Sequence, residues 1–118
     1  MEDIEINRAD DNFNYTVSLC STSLFKKNND EILYDVYEEF DSYSWSFLHE
    51  NTLNVLLTSG LINEEIFKLS FELRELSVKL FSSDIDRSVD ELKRNENWKE
   101  VFSLCDRIIE LKKGVIQG

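Results

Sequence analysis

From residue 29 onward, apolar side chains recur every three or four positions, the interval that lines one side of an α-helix. Measured from Ile32, the residues Ile32, Leu33, Val36, Tyr37, Phe40 and Tyr43 fall within an arc of about 140°. Glu31, Asp35, Glu38, Glu39 and Asp41 take the other side, with Tyr34 among them. The pattern predicts an amphipathic helix with an apolar stripe and an acidic back, started by Asn29 or Asp30 as N-cap. A serine-rich corner over residues 42–46 predicts a break. A second helix follows through "WSFLHENTLNVLLTSG", with Gly60 placed to end it in a left-handed conformation.

Asn63 fits the N-cap of the next helix, over about 64–81. Its apolar residues wrap well over half the circumference, which predicts a central helix packed on several sides. Ser88 and Glu91 have the spacing of a capping box and predict a short helical turn. From about 96 to 113 the periodicity returns: Trp98, Val101, Phe102, Cys105, Ile108 and Ile109 share a face, and Lys112 and Lys113 suit a C-terminal end before Gly114.

The N-terminal part reads two ways. "FNYTVSL" alternates like a strand at Phe13, Tyr15, Val17 and Leu19, while Phe13, Val17, Cys20 and Leu24 also fit one helical face. A strand there finds a partner only in "DIEIN" at 3–7, a lone hairpin at best, so helix is favoured. The fold class that emerges is all-α, a bundle of about four to five helices. With 118 residues the chain suits a single domain, 1–118, with residues 1–11 open to disorder. Hydrophobic residues at 42% against 31% charged support a packed core without staples.

Two cysteines, Cys20 and Cys105, are too few for a disulfide scaffold. The N-terminus "MEDIEINRADD" is acidic where a secretion signal would be basic and then apolar. No apolar run reaches the length of a membrane span. These features point to a soluble, cytoplasmic protein with reduced thiols.

Charge changes the picture more than composition does. The net charge is −11, and nearly all of the excess sits in one segment. Residues 28–67 hold nine acidic side chains and no lysine or arginine, whereas residues 68–118 hold ten of each sign. Nucleic acid is the partner this most disfavours, because phosphates are held by a basic face.

Catalytic chemistry finds few parts. His49 is the single histidine, and its place in an apolar helix reads as a partly buried structural residue. The glycines are Gly60, Gly114 and Gly118, so no glycine-rich phosphate loop exists. The cysteines lack a CxxC pattern and read as small core residues. "DIDRSVDELKRNE" has Val89 at the sixth position, where a calcium loop needs glycine. Paired-carboxylate metal sites in bundles use Glu-x-x-His motifs, which one histidine cannot supply twice. The sequence therefore reads as a non-enzyme with no cofactor and no metal.

The acidic helix is the remaining candidate. Exposed helices ordinarily mix both signs, because Glu–Lys pairs four residues apart stabilise them. An unmixed acidic back repels itself when the protein is alone, and a cationic partner would relieve that repulsion. Asp30, Glu31, Tyr34, Asp35, Glu38, Glu39 and Asp41, with Glu50 beyond the serine corner, form the expected contact face for a basic protein. A solvated face that serves solubility alone is the plain alternative. In size, in acidity, in the helix break "LLTSGLINEEI" at 56–66 and in the run "LKRNENWKEVFSLCDRIIELK" at 92–112, the chain resembles bacterial toxin-immunity proteins of contact-dependent growth inhibition systems. It lacks any proline, and so departs from the proline-containing paired-tyrosine motif of nuclease-colicin immunity proteins. The resemblance implies an inhibitor that binds a cognate toxin domain and neutralises it without catalysis; the acidic face makes a basic domain of the nuclease type the expected partner, with a monomer as the expected free state. A helical adaptor or regulator that binds another protein through an apolar groove is the second expectation, and a self-associating module the third.

Overall fold

A computed structural model describes residues 3–117. The chain folds as an all-α helical bundle, with no strand among the described residues. Helix α1 (Asp3–Leu19) settles the strand-or-helix ambiguity and occupies most of the stretch expected to be loose; residues 1 and 2 lie outside the described residues. It buries Phe13, Thr16, Val17 and Leu19. Thr16 tolerates this because its hydroxyl donates to the Asn12 carbonyl at 2.6 Å, one turn back. A short 3-10 turn (Thr22–Lys26) then buries Leu24. Its start is held from across the fold: Asp106 accepts from the Thr22 amide at 3.0 Å and from its hydroxyl at 2.6 Å.

The acidic stretch forms one continuous rod built from α2 (Asn29–Tyr34), a π-helical turn (Asp35–Phe40) and α3 (Asp41–Phe47), with helical dihedrals at both joints. The cap is Asn28, not Asn29 or Asp30: its side-chain oxygen accepts from the Glu31 amide at 2.9 Å. The expected serine corner is also helical. Ser44 is buried, and its hydroxyl returns to the Asp41 carbonyl at 3.2 Å, so the helix carries a polar side chain inward without leaving it unpaired. The break falls instead at Leu48 and His49. His49 is not inside a helix but is the N-cap of α4 (Glu50–Thr58), where Nδ1 accepts from the Asn51 amide at 3.1 Å.

Gly60 ends this region at φ 78°, as its sequence position predicts. Asn63 caps α5 (Glu64–Phe81) by accepting from the Ile66 amide at 2.9 Å. This helix buries Ile66, Ser70, Leu73, Ser77 and Leu80 and touches α3, α4 and α7. It is less enclosed than its apolarity predicts, since Phe71 stays 39% exposed. Ser88 caps α6 (Val89–Arg94) through the Glu91 amide at 3.1 Å, but only half of the capping box forms, because the Glu91 carboxylate turns to the Asn95 amide group at 2.9 Å.

Helix α7 (Glu96–Gln117) runs past Gly114 instead of stopping there, and packs on α5, α1, α6 and the 3-10 turn. Its stripe Trp98, Val101, Phe102, Cys105 and Ile108 is buried, as the periodicity predicts. Trp98 lies at the centre, edge-on to Tyr37 at 5.9 Å and Phe81 at 5.5 Å and stacked on Phe102 at 6.0 Å. Lys112 does not simply decorate the helix end. It is buried and pairs with Asp10 of α1 at 2.6 Å.

That buried pair gives a stability prediction. Asp10→Ala leaves the Lys112 ammonium enclosed without its counter-charge and is expected to cost about 3 kcal/mol. Replacing both residues together, Asp10→Leu with Lys112→Met, removes the stranded charge and is expected to recover most of that loss. Urea unfolding of the three proteins measures the difference; equal losses in the single and double variants would show that the pairing does not govern this contact.

Candidate interaction site

The rod presents its carboxylates because its other side is committed to the core: Ile32, Val36, Tyr37 and Phe40 are all buried. Asp30 and Glu31 lie exposed in the first turn of α2, where the helix dipole favours negative charge. Glu31 also accepts from the Asn28 side-chain amide at 2.6 Å. Glu38 is exposed, while Glu39 and Asp41 are half-buried. Glu50 is exposed but belongs to α4, beyond the break at His49, and is not part of the rod.

Besides Glu31, three of the expected contact residues are engaged within the chain: Asp35, Tyr34 and Glu39. Asp35 meets Lys27 at 2.6 Å, and its side chain is only 14% exposed. The hydrogen bond from Lys27 to Asp35 raises the ammonium pKa above its ordinary value. Tyr34, 55% exposed, donates its hydroxyl to Glu39 at 3.0 Å. That bond is a product of the π turn. In a regular α-helix, positions five apart point about 140° away from one another. A π turn closes over five residues and brings Glu39 back above Tyr34. The hydrogen bond to Glu39, followed by that residue's charge, raises the Tyr34 phenol pKa.

The structure adds residues that the helical pattern missed. Tyr15 of α1 is 42% exposed and meets Tyr43 edge-on at 5.1 Å; Tyr43 in turn lies 5.5 Å from Phe47. Helix α1 packs against the π turn and α3 of the rod, and the Tyr15 phenol pKa is raised first by partial burial and then by the charges of Glu39 and Asp35. Lys27 precedes by one residue the segment that holds no lysine or arginine, and a count by segment hides it. On the rod's other flank, Leu33, Tyr34, Tyr37, Glu38 and Arg87 line a groove of about 320 Å³. There the Arg87 guanidinium lies 5.6 Å from the Tyr37 ring centroid and donates to the Tyr37 carbonyl at 3.5 Å.

Most of the ion pairs lie off the rod. Within residues 68–118, Arg74 meets Glu75, Arg94 meets Glu91, Lys99 meets Glu96 and Lys113 meets Glu110, and Arg107 reaches Glu65 in the first turn of α5. Among the described residues, Asp35 is the rod's one carboxylate with a cationic partner; Asp30, Glu31, Glu38, Glu39 and Asp41 have none.

The two cysteines are enclosed and the single histidine is engaged. Cys20 and Cys105 are fully buried free thiols, and burial raises both pKa values well above the ordinary thiol value. The His49 imidazole serves as a helix cap. Among the described residues, no three His, Cys, Asp or Glu side chains converge as a metal site, and no helix is long and apolar enough to cross a membrane. Comparison with protein-family models, with curated proteins and with solved structures finds no match for the chain.

Two titrations check this picture. In the folded protein both thiols are expected to resist an aromatic disulfide reagent and to react fully once unfolded; rapid native labelling would contradict their enclosure. Tyr37, whose hydroxyl donates to the Ser88 carbonyl at 3.2 Å, has its pKa pushed up by burial from 10.0 to about 12. A raised folded-state pKa means that this group's contribution to stability is complete below pH 10 and is lost as pH climbs from 10 to about 12. Ultraviolet titration of Tyr37→Phe against the parent is expected to lack this late-ionising phenol.

Proposed function

We propose that the protein is a non-enzymatic, immunity-type inhibitor that docks its acidic rod against a cognate basic toxin domain. The observation that carries this reading is the row of carboxylates on the rod, of which, among the described residues, Asp35 alone has a cationic partner, in a segment with no lysine or arginine of its own. Left alone, such a face repels itself. A nuclease-type groove must be positive to hold phosphates, so a rigid line of carboxylates complements it and speeds encounter. The rod is suited to rapid docking because its core side is fixed by buried aromatics and its aromatic exposures need little ordering. An inhibitor that protects its own cell is expected to reach nanomolar affinity, about −12 kcal/mol, or tighter.

The resemblance to immunity proteins of contact-dependent growth inhibition supports the same reading from another side. Its two runs fall in the α4–α5 turn and in α6 and α7. They concern the scaffold, and the partner's basic character is argued from the rod alone.

An adaptor reading has its own supporting feature. Phe67, Lys68, Phe71 and Glu72 line an open groove of about 360 Å³ on α5, and Trp45 of α3 is 56% exposed. A partner seated on either would bind with little dependence on salt.

The two are separated by capture from the native host with tagged protein, followed by a salt step and mass spectrometry. Under the immunity reading, one basic domain is recovered in equal amount, is released only by high salt or denaturant, and is lethal unless co-expressed with this protein. The triple reversal Asp30→Lys, Glu31→Lys, Glu38→Lys is the informative variant, because these carboxylates are exposed and lack ion pairs; reversing Asp35 would also break its contact with Lys27. At low salt the association rate is expected to fall at least about tenfold. An unchanged rate and salt slope would remove the rod as the docking face.

A further inference from the structure

Between α1 and the rod, two exposed tyrosines flank a pair of carboxylates. Tyr34 is bonded through its hydroxyl to Glu39 at 3.0 Å, which fixes the ring while leaving 55% of the residue open. Tyr15 stands on α1, 42% open, its ring braced against Tyr43 at 5.1 Å. Glu39 accepts from the Tyr34 phenol, and α1 packs on this same stretch of the rod, setting the Tyr15 ring on Tyr43 four residues beyond Glu39. Asp35, four residues before Glu39, already holds the Lys27 ammonium at 2.6 Å. The cluster therefore contains two carboxylates and one cation. Among the described residues the polar partner of Glu39 is a neutral phenol and no cation, so its negative charge is left unbalanced beside exposed aromatic rings.

We propose that Tyr15, Tyr34 and Glu39 form a receptor for an arginine side chain of the partner protein, with Asp35 and Lys27 as its fixed wall. This deepens the acidic-rod reading and rests on it. The choice of arginine follows from shape. A guanidinium is planar, stacks on aromatic faces and offers a fork of donors to a carboxylate, whereas an ammonium is a compact, strongly hydrated point charge. Within the chain the Arg87 guanidinium already meets a ring in this way, lying 5.6 Å from the Tyr37 centroid one groove away and bonding the backbone beside it. Three of the four large apolar or aromatic side chains that the described residues leave exposed, Tyr15, Tyr34 and Trp45, lie on α1 and the rod. Exposed aromatics beside unpaired carboxylates are the composition expected of a hot spot for a basic surface.

The test uses two probes of equal charge, a hexa-arginine and a hexa-lysine peptide, titrated into the full protein by calorimetry and by nuclear magnetic resonance at low salt. The arginine peptide is expected to bind roughly five- to tenfold more tightly, with the largest shifts at Tyr15, Tyr34 and Glu39. Tyr15→Leu and Tyr34→Leu, both at open positions, should bring its affinity down to that of the lysine peptide and leave the lysine peptide unaffected; circular dichroism reports that the helices persist. Equal binding of the two peptides by the parent protein would overturn the arginine receptor and leave the acidic rod standing. An arginine preference that survives both tyrosine substitutions would overturn its placement. Binding of neither peptide would overturn the receptor and the acidic-rod reading together.

Discussion

The packing of Trp98 is the contact on which the rest of the arrangement depends. This one side chain, 1% exposed, meets Tyr37 from the rod, Phe81 from α5 and Phe102 from its own helix. Phe40 of the rod reaches the same Phe81 at 6.1 Å, and Phe25 of the 3-10 turn meets Phe102 edge-on at 5.3 Å. Like charges one helical turn apart on the rod each oppose the helix by a few tenths of a kcal/mol. Burying a side chain such as Ile32, Val36 or Phe40 contributes about 1.5–3 kcal/mol. The buried side therefore wins by a wide margin. The core holds in place a charged surface that would not assemble for its own sake.

Local chemistry was the most legible level of the fold. Asn63, Ser88 and Gly60 each sit where their side chains, or the lack of one, solve a problem of helix ends, and the structure uses all three. The limits of α5 follow directly from those signals. The errors share a cause. The serine corner was read from composition, but Ser44 satisfies its hydroxyl within the helix and packs inward. His49 was read from its apolar neighbours, yet at the true break its imidazole nitrogen can cap. Gly114 suits a stop by its place after two lysines, yet α7 stays helical through it. None of the three outcomes is encoded in residue spacing.

The candidate face was half legible. Apart from Glu50, its carboxylates and Tyr34 stand on one rod, as periodicity implies. Periodicity assumes a constant angle per residue, however, and the π turn breaks that assumption between Asp35 and Phe40. Tyr15 comes from another helix, and only tertiary packing brings it against Tyr43 of the rod. Lys27 lay next to the acidic segment in plain view, but its pairing with Asp35 depends on how the chain leaves the 3-10 turn. The contact surface is thus a composite in which one helix supplies charge and a neighbour supplies the ring that shapes it.

The π turn carries a consequence for how such a surface can change over generations. One residue added to an α-helix must either swing everything beyond it by about 100° or be absorbed as a local widening. Here the widening separates the first turns of the rod from α3, which packs on α1, α4 and α5. Losing a single codon within residues 35–40 would tighten the turn and rotate one half of the rod against the other, without replacing any side chain. The pattern this protein shows to a partner is therefore set by a count of residues as well as by their identity. Lineages that diverged by a short insertion or deletion at this point could present the same side chains in a different spatial order.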